Sequence, residues 1–191
     1  AFLFTYTVCF VLRILELPMW SAEHLQIQGE HLMATHDAYV WLAGAEQINR
    51  KTGQALSQML GWLHSLTGFD VANIGFWLPV LLAPLAALPL VFLGWRVRQA
   101  EAGLASGIMA AGCIGFLLRT RFGFVDTDVL SLFFPLAIAS GLILWLSALC
   151  RREWKAQPEP NADSSPKKSV FLFGAVVLGL LIQGYDWFYG K

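Results

Sequence analysis

The stretch VANIGFWLPVLLAPLAALPLVFLGW, Val71 to Trp95, has no charged residue between Asp70 and Arg96. A helix needs about 20 mainly apolar residues to cross a bilayer. This one is apolar on every face, unlike a core helix of a soluble domain, which shows a single apolar stripe. Pro79, Pro84 and Pro89 interrupt it, but neighbouring helices re-satisfy freed backbone groups in a membrane, so they predict kinks within a span. Working outward, Ala102–Leu118 is closed by Arg119, Val129–Cys150 is bounded by Asp128 and Arg151-Arg152, and Ser169–Tyr185 is apolar again. Ala1–Leu12 is apolar and short, and reads as the tail of a further helix. The expected fold is an all-α polytopic membrane protein of about five transmembrane helices, over residues 1–17, 71–95, 102–118, 129–150 and 169–187.

Composition agrees. Apolar residues make up 57% and charged residues 14% of the 191, against about 45–50% and about 25% in an ordinary globular domain. Mean hydropathy is +0.57. Too few polar residues remain to coat a soluble surface, and so apolar a chain is not disordered. Thirteen Lys plus Arg balance thirteen Asp plus Glu, so no basic field calls for nucleic acid. Cys9, Cys113 and Cys150 sit in or at the end of apolar runs without metal-ligand spacing, which excludes a secreted disulfide scaffold.

Lys and Arg set the orientation. Arg96 and Arg98 occupy one connection; Arg151, Arg152, Lys155, Lys167 and Lys168 occupy the Pro/Ser-rich linker 151–168. Placing both in the cytoplasm puts the long loop 18–70 and the short loop 119–128 together on the outer side. Within the long loop, Leu56, Met59, Leu60, Leu63 and Leu66 repeat at helical spacing, predicting an amphipathic helix along the membrane surface. Ala38–Ile48 is a second helix candidate with Asp37 at or near its N-cap. Gly103, Ser106, Gly107, Ala111 and Gly115 recur at helix-packing intervals, the pattern of a tightly packed helix or simply of membrane composition.

Carboxylates close to a bilayer are costly and are functional candidates by default. Asp126-Thr127-Asp128 stands where the short outer loop meets the next helix. In an extended segment both side chains face one cation; on a helix they diverge and one of them ligates. Oxygen ligands suit Mg²⁺ or Mn²⁺ better than zinc or copper. Capping of the following helix explains the same residues, and explains Asp37 in His36-Asp37-Ala38-Tyr39 equally. His24, His31 and His36 are spaced for surface positions and not for a zinc site. Arg119 has three uses open to it: snorkelling, pairing with Asp128, or holding a phosphate.

Arg119-Thr120-x-x-Gly123-x-x-Asp126-Thr127-Asp128-x-Leu130, between two spans, resembles the second acidic motif of the catalytic subunits of single-subunit bacterial oligosaccharyltransferases. His36-Asp37-Ala38-Tyr39 with Leu42-Ala43-Gly44-Ala45-Glu46 is similar to that family's first-loop aspartate motif. Tyr185-Asp186-Trp187-Phe188-Tyr189 is similar to the aromatic end of its fifth span. The resemblance covers essentially the whole chain and implies a GT-C-like glycosyltransferase architecture.

It also implies a reaction: transfer of a glycan from a polyprenyl-diphosphate-linked oligosaccharide to the asparagine of Asn-x-Ser/Thr sequons in an acceptor protein, on the outer face of a bacterial inner membrane. By the same resemblance Asp37 ligates Mg²⁺ or Mn²⁺ and orients the acceptor amide. Asp126 is a second ligand, Asp128 a ligand or its neighbour, and Arg119 a supporting cation. The family's later catalytic glutamate, its W-W-D-Y-G element and its C-terminal soluble domain are not in this sequence. The chain is therefore expected to be the front part of a longer enzyme, inactive by itself. Alternatives are another glycosyltransferase using a polyprenyl-phosphate sugar, or a non-catalytic membrane scaffold, which leaves the paired acidic motifs without a reason. A transporter needs ionisable residues within its spans, and the long spans carry none between their ends.

Overall fold

The computed structural model describes residues 1–27, 30–48, 50–154 and 168–190. The opening stretch is helical: α1 (Phe2–Ile14) leads through a turn into α2 (Leu17–Trp20), and Phe2–Trp20 as a whole is long and apolar enough to cross a bilayer. Its exposed face carries Phe2, Leu3, Phe4, Val11 and Leu12, while Thr5, Cys9 and Arg13, spaced one helical turn apart, form the buried stripe.

The loop after α2 is folded. A short antiparallel pair, β1 (Gln26–Ile27) and β2 (Glu30–His31), precedes α3 (His36–Ala45) and α4 (Ala55–Thr67). Thr35 caps α3, its hydroxyl accepting from the Ala38 N–H at 3.4 Å. Helices α3 and α4 meet where Gly44 faces Ser57, whose hydroxyl donates to the Trp41 carbonyl at 3.0 Å. Helix α4 is amphipathic as expected, and protein covers most of its apolar stripe. Leu56 and Leu60 are buried in a core that the outer segment shares with residues 71–80 and 122–129, whereas Leu66, with Trp62, is exposed. That core gives the leucines protein partners, so they do not need lipid.

α5 (Val71–Leu82), a 3₁₀ turn at Ala83–Ala87 and α6 (Leu88–Arg96) together make the expected long span, with Asp70 capping its start through the Ala72 N–H at 3.2 Å. Pro79 lies inside α5, while Pro84 and Pro89 open the 3₁₀ turn and α6, where a missing N–H costs little. Phe76 is the hub of the outer core: 1% exposed, it stacks on His31 (centroids 4.3 Å apart) and Phe122 (5.0 Å). Burying that ring contributes about 1.5–3 kcal/mol.

Segment 102–118, expected as one span, folds as two helices, α7 (Ala100–Ala111) and α8 (Ile114–Leu118). Cys113 is extended (φ −63°, ψ 139°), so the backbone ladder stops there. The break leaves carbonyls at the end of α7 without helical partners. The Arg13 Nη2 takes that of Ala111 at 3.0 Å. α7 runs antiparallel to α6 at backbone distance: a Cβ on Gly94 would lie 2.5 Å from the Gly103 Cα, and one on Gly107 would lie 2.8 Å from the Ala87 carbonyl oxygen. Gly103, Gly107 and Ala111 are the buried face, whereas Ser106 and Gly115 are exposed.

α9 (Asp128–Ser131) opens into α10 (Phe133–Trp154), and α11 (Lys168–Tyr189) packs against it. Four helical runs among the described residues are long and apolar enough to cross a membrane: Phe2–Trp20, Val71–Arg96, Asp128–Ala148 and Leu172–Tyr189. The chain is an all-α polytopic membrane protein with four such runs where about five were expected, the broken 102–118 being the difference. The linker expected at 151–168 lies outside the described residues over 155–167.

Candidate functional site

The two acidic motifs sit on separate loops that the fold ties together at one end of the helices. Gly123 is the knot. Its N–H donates to the Phe76 carbonyl at 3.0 Å, and its own carbonyl accepts from the Ala34 N–H at 3.0 Å. Gly123 has φ +65°, the left-handed region that a side chain strains, and a Cβ there would lie 3.0 Å from the Ala34 nitrogen. Ala34 stands just upstream of Asp37, and Gly123 just upstream of Asp126, so one backbone bond joins the approaches to both motifs.

Asp37 is in the first turn of α3, and its side chain is 66% exposed. Thr35 does the capping, so that task does not claim Asp37. Its nearest cation candidate is His36, Nδ1 to Oδ1 at 3.8 Å. The Tyr39 hydroxyl accepts from the Met33 N–H at 3.1 Å, fastening the segment that enters α3.

Asp126 turns its Oδ1 onto the N–H (2.6 Å) and hydroxyl (3.3 Å) of Thr127. Thr127 is the N-cap of α9 with helical dihedrals (φ −59°, ψ −20°), so Asp126-Thr127-Asp128 is not extended and its carboxylates do not share one side. Asp128 instead meets Arg119, Oδ2 to Nη1 at 2.6 Å. Of the uses open to Arg119, this pair is the one adopted. The hydrogen bond that Arg119 donates to Asp128, and then the charge of Asp128, push the Arg119 pKa above its ordinary value. Opposite charge favours the ionised guanidinium. His31 serves structure: its Nδ1–H donates to the Trp20 carbonyl at 3.1 Å.

Four supports of the site were not read from the sequence. Thr35, just before one motif, and Gly123, inside the other, both act on backbone groups. The Tyr189 hydroxyl, at the end of α11, donates to the Thr127 carbonyl at 2.6 Å. The Thr120 hydroxyl oxygen accepts from Arg13 Nε at 3.2 Å and Nη2 at 2.9 Å. The aromatic exit of α11 was a visible signal for Tyr189; the lone arginine in an apolar helix was one for Arg13.

Among the described residues no three His, Cys, Asp or Glu side chains converge. Magnesium-type sites do not need that: they are built from one or two carboxylates completed by water and substrate phosphates. Asp37 and Asp126, on adjoining loops, are hard-oxygen donors of the chemical type such an ion takes.

The family described as Oligosaccharyl transferase STT3, N-terminal, matches this sequence over residues 49–189. The chain belongs to that family. It is similar to the undecaprenyl-diphosphooligosaccharide–protein glycotransferase of Campylobacter jejuni, 22% identical over 181 residues, which cover 89% of this chain and 22% of that one. It is also similar to the dolichyl-phosphooligosaccharide-protein glycotransferase of Methanocaldococcus jannaschii, 26% identical over 116 residues, covering 60% of this chain and 12% of that one. The chain thus spans about a fifth or less of the length of these oligosaccharyltransferase relatives. The matched region includes Arg119, Asp126 and Asp128, and α11 with its Tyr189.

Proposed function

We propose that this chain supplies an acidic centre to a membrane oligosaccharyltransferase, which moves a glycan from a polyprenyl diphosphate carrier to the side-chain nitrogen of an Asn-x-Ser/Thr asparagine. The observation that carries the reading is the Ala34–Gly123 bond, which brings the loops of Asp37 and Asp126 to one end of the helices. An amide nitrogen is a poor nucleophile. Asp37, exposed and spared from capping, accepts from the acceptor amide and holds it toward the sugar; Asp126 stands on the adjoining loop. A divalent ion, Mg²⁺ or Mn²⁺, held by Asp37 and Asp126 with the Arg119-paired Asp128 as a neighbour, would offset the charge developing on the diphosphate leaving group. Arg119, aligned by Asp128, offers the same departing oxygens a fixed cation.

The partners are then a lipid-linked oligosaccharide, a sequon-bearing acceptor and the bilayer itself. The membrane is a bacterial inner membrane with the acidic loops facing the periplasm. Arg96, Arg98, Arg151 and Arg152, which lie at the opposite ends of the helices, support that orientation.

The test is transfer from an undecaprenyl-diphosphate-linked oligosaccharide to a labelled sequon peptide, using the protein made from its own gene in membranes. Asp126→Asn lowers the rate about a hundredfold or more, with insertion unchanged. Wild-type transfer by that variant, or transfer to lipid acceptors in place of the peptide, overturns the reading.

A further inference from the structure

Arg13 is a cation inside an apolar span, 2% exposed, on the stripe of α1 that faces the protein. Charges in such positions are rare and as a rule serve a task. The proposed transfer gives this one none. The ion pairs of the described residues, His36–Asp37, Arg119–Asp128 and Arg121–Glu16, all use other cations.

What surrounds the guanidinium is protein oxygen. Nε and Nη2 donate to the Thr120 hydroxyl at 3.2 and 2.9 Å, Nη2 donates to the Ala111 carbonyl at 3.0 Å, and Nη1 donates to the Cys9 carbonyl at 2.9 Å. The Phe116 ring closes one face, its centroid 5.5 Å away. Every nitrogen is already engaged, so Arg13 is not an anion site; it is a three-way brace. It ties α1 to the last carbonyl of α7, where a cation also suits the negative end of the helix dipole. It also ties α1 to Thr120, the residue next to Arg119.

We propose that Arg13 is a positioning residue for the acidic loop. Through Thr120 it fixes the near end of the segment that carries Arg119, Asp126 and Asp128. Tyr189 fixes the far end at Thr127, and Gly123 fixes the middle. The rigid fork of arginine is needed because one group must reach Thr120 and Ala111 together, which a lysine ammonium on its single stem does not reproduce. The inference rests on the oligosaccharide-transfer reading for its catalytic consequence, though not for the brace itself.

Arg13→Met risks leaving the helices unpacked, so the decisive variants are at the acceptor. Thr120→Val keeps the shape and removes the hydroxyl; Thr120→Ser keeps the hydroxyl. Two measurements are made on the protein from its own gene in lipid nanodiscs: hydrogen exchange of the amides of 121–128, and kcat and KM for glycosylation of a sequon peptide. The expected result for Thr120→Val is exchange of the loop amides faster by about tenfold or more, kcat lower by about tenfold, and peptide KM within about twofold of wild type. Thr120→Ser returns both to within about threefold of wild type, and Arg13→Lys follows Thr120→Val. Unchanged loop exchange in Thr120→Val overturns the brace. Faster exchange with wild-type kcat overturns the positioning role and leaves the transfer reading standing. A wild-type protein that transfers nothing removes the catalytic half together with that reading, while the exchange data still decide the brace.

Discussion

Replacing Gly123 with alanine tests whether the two acidic loops depend on one backbone knot. At φ +65° an alanine costs about 1–2 kcal/mol for the left-handed conformation alone. Its methyl would lie 3.0 Å from the Ala34 nitrogen and 3.2 Å from the Met33 Cα, atoms of a backbone that cannot swing aside as a side-chain end does. The loop must shift, weakening the bonds from Ala34 N–H and to the Phe76 carbonyl, both 3.0 Å long. Each of those contributes about 0.5–1.5 kcal/mol, so Gly123→Ala should cost about 2–5 kcal/mol in all. Gly68 supplies the control: its φ is +72°, but no atom lies within 4 Å of its would-be Cβ, so Gly68→Ala should cost only the conformational part, about 1–2 kcal/mol. Reversible unfolding in mixed SDS micelles, followed by tryptophan fluorescence, measures both. Hydrogen exchange at Ala34 and Gly123 should quicken in the first variant and not in the second. Equal costs for the two substitutions would refute the argument, because they share the dihedral term and differ only in crowding.

The helix hairpin offers a parallel contrast. Gly94→Ala puts a methyl 2.5 Å from the Gly103 Cα and should destabilise by about 3 kcal/mol or more by the same assay, above the usual overpacking cost, since backbone opposes backbone. Gly115→Ala, inside α8 with nothing within 4 Å, should stabilise by about 0.5–1 kcal/mol. For the Arg119–Asp128 pair the raised guanidinium pKa gives the sign: its contribution is complete below the ordinary arginine value and fades only as pH rises through the higher folded value. The stability difference between wild type and Arg119→Gln should therefore be flat from about pH 7 to about pH 9, and small, because the pair is exposed and screened by salt. A difference that fades across that range would show that the partner of Asp128 is another group.

What could be read from the chain was what local chemistry fixes. Charge-free runs gave the long spans because a bilayer excludes charge; of the five small residues at packing intervals, Gly103, Gly107 and Ala111 form the packed face of α7, while Ser106 and Gly115 do not. The pairing of Arg119 with Asp128 was among the readings left open. The break within segment 102–118 was not legible because hydropathy registers side chains and not hydrogen bonds, and the break at Cys113 is a backbone event. What covers the α4 stripe was not legible for a related reason. Periodicity shows that a face is apolar, but not whether lipid or protein covers it. Asp37 was credited as a possible cap when Thr35, just ahead of the helix, holds that position.

The supports of the acidic loop belong to a different class. Residues 34 and 123, 13 and 120, and 127 and 189 are each far apart in the chain, and two of these three contacts involve a main-chain carbonyl that carries no residue signature. Their arrangement has a physical logic. A loop held by its own carboxylates would spend on structure the charges a reaction needs, and Asp128 is already spent on Arg119. Holding it through Thr120, Gly123 and the Thr127 carbonyl leaves Asp37 out of the scaffold and commits Asp126 only locally, through one oxygen, to Thr127. The first and last helices, α1 and α11, each supply one of these supports. Motion of either helix in the bilayer therefore acts directly on the loop that carries the acids.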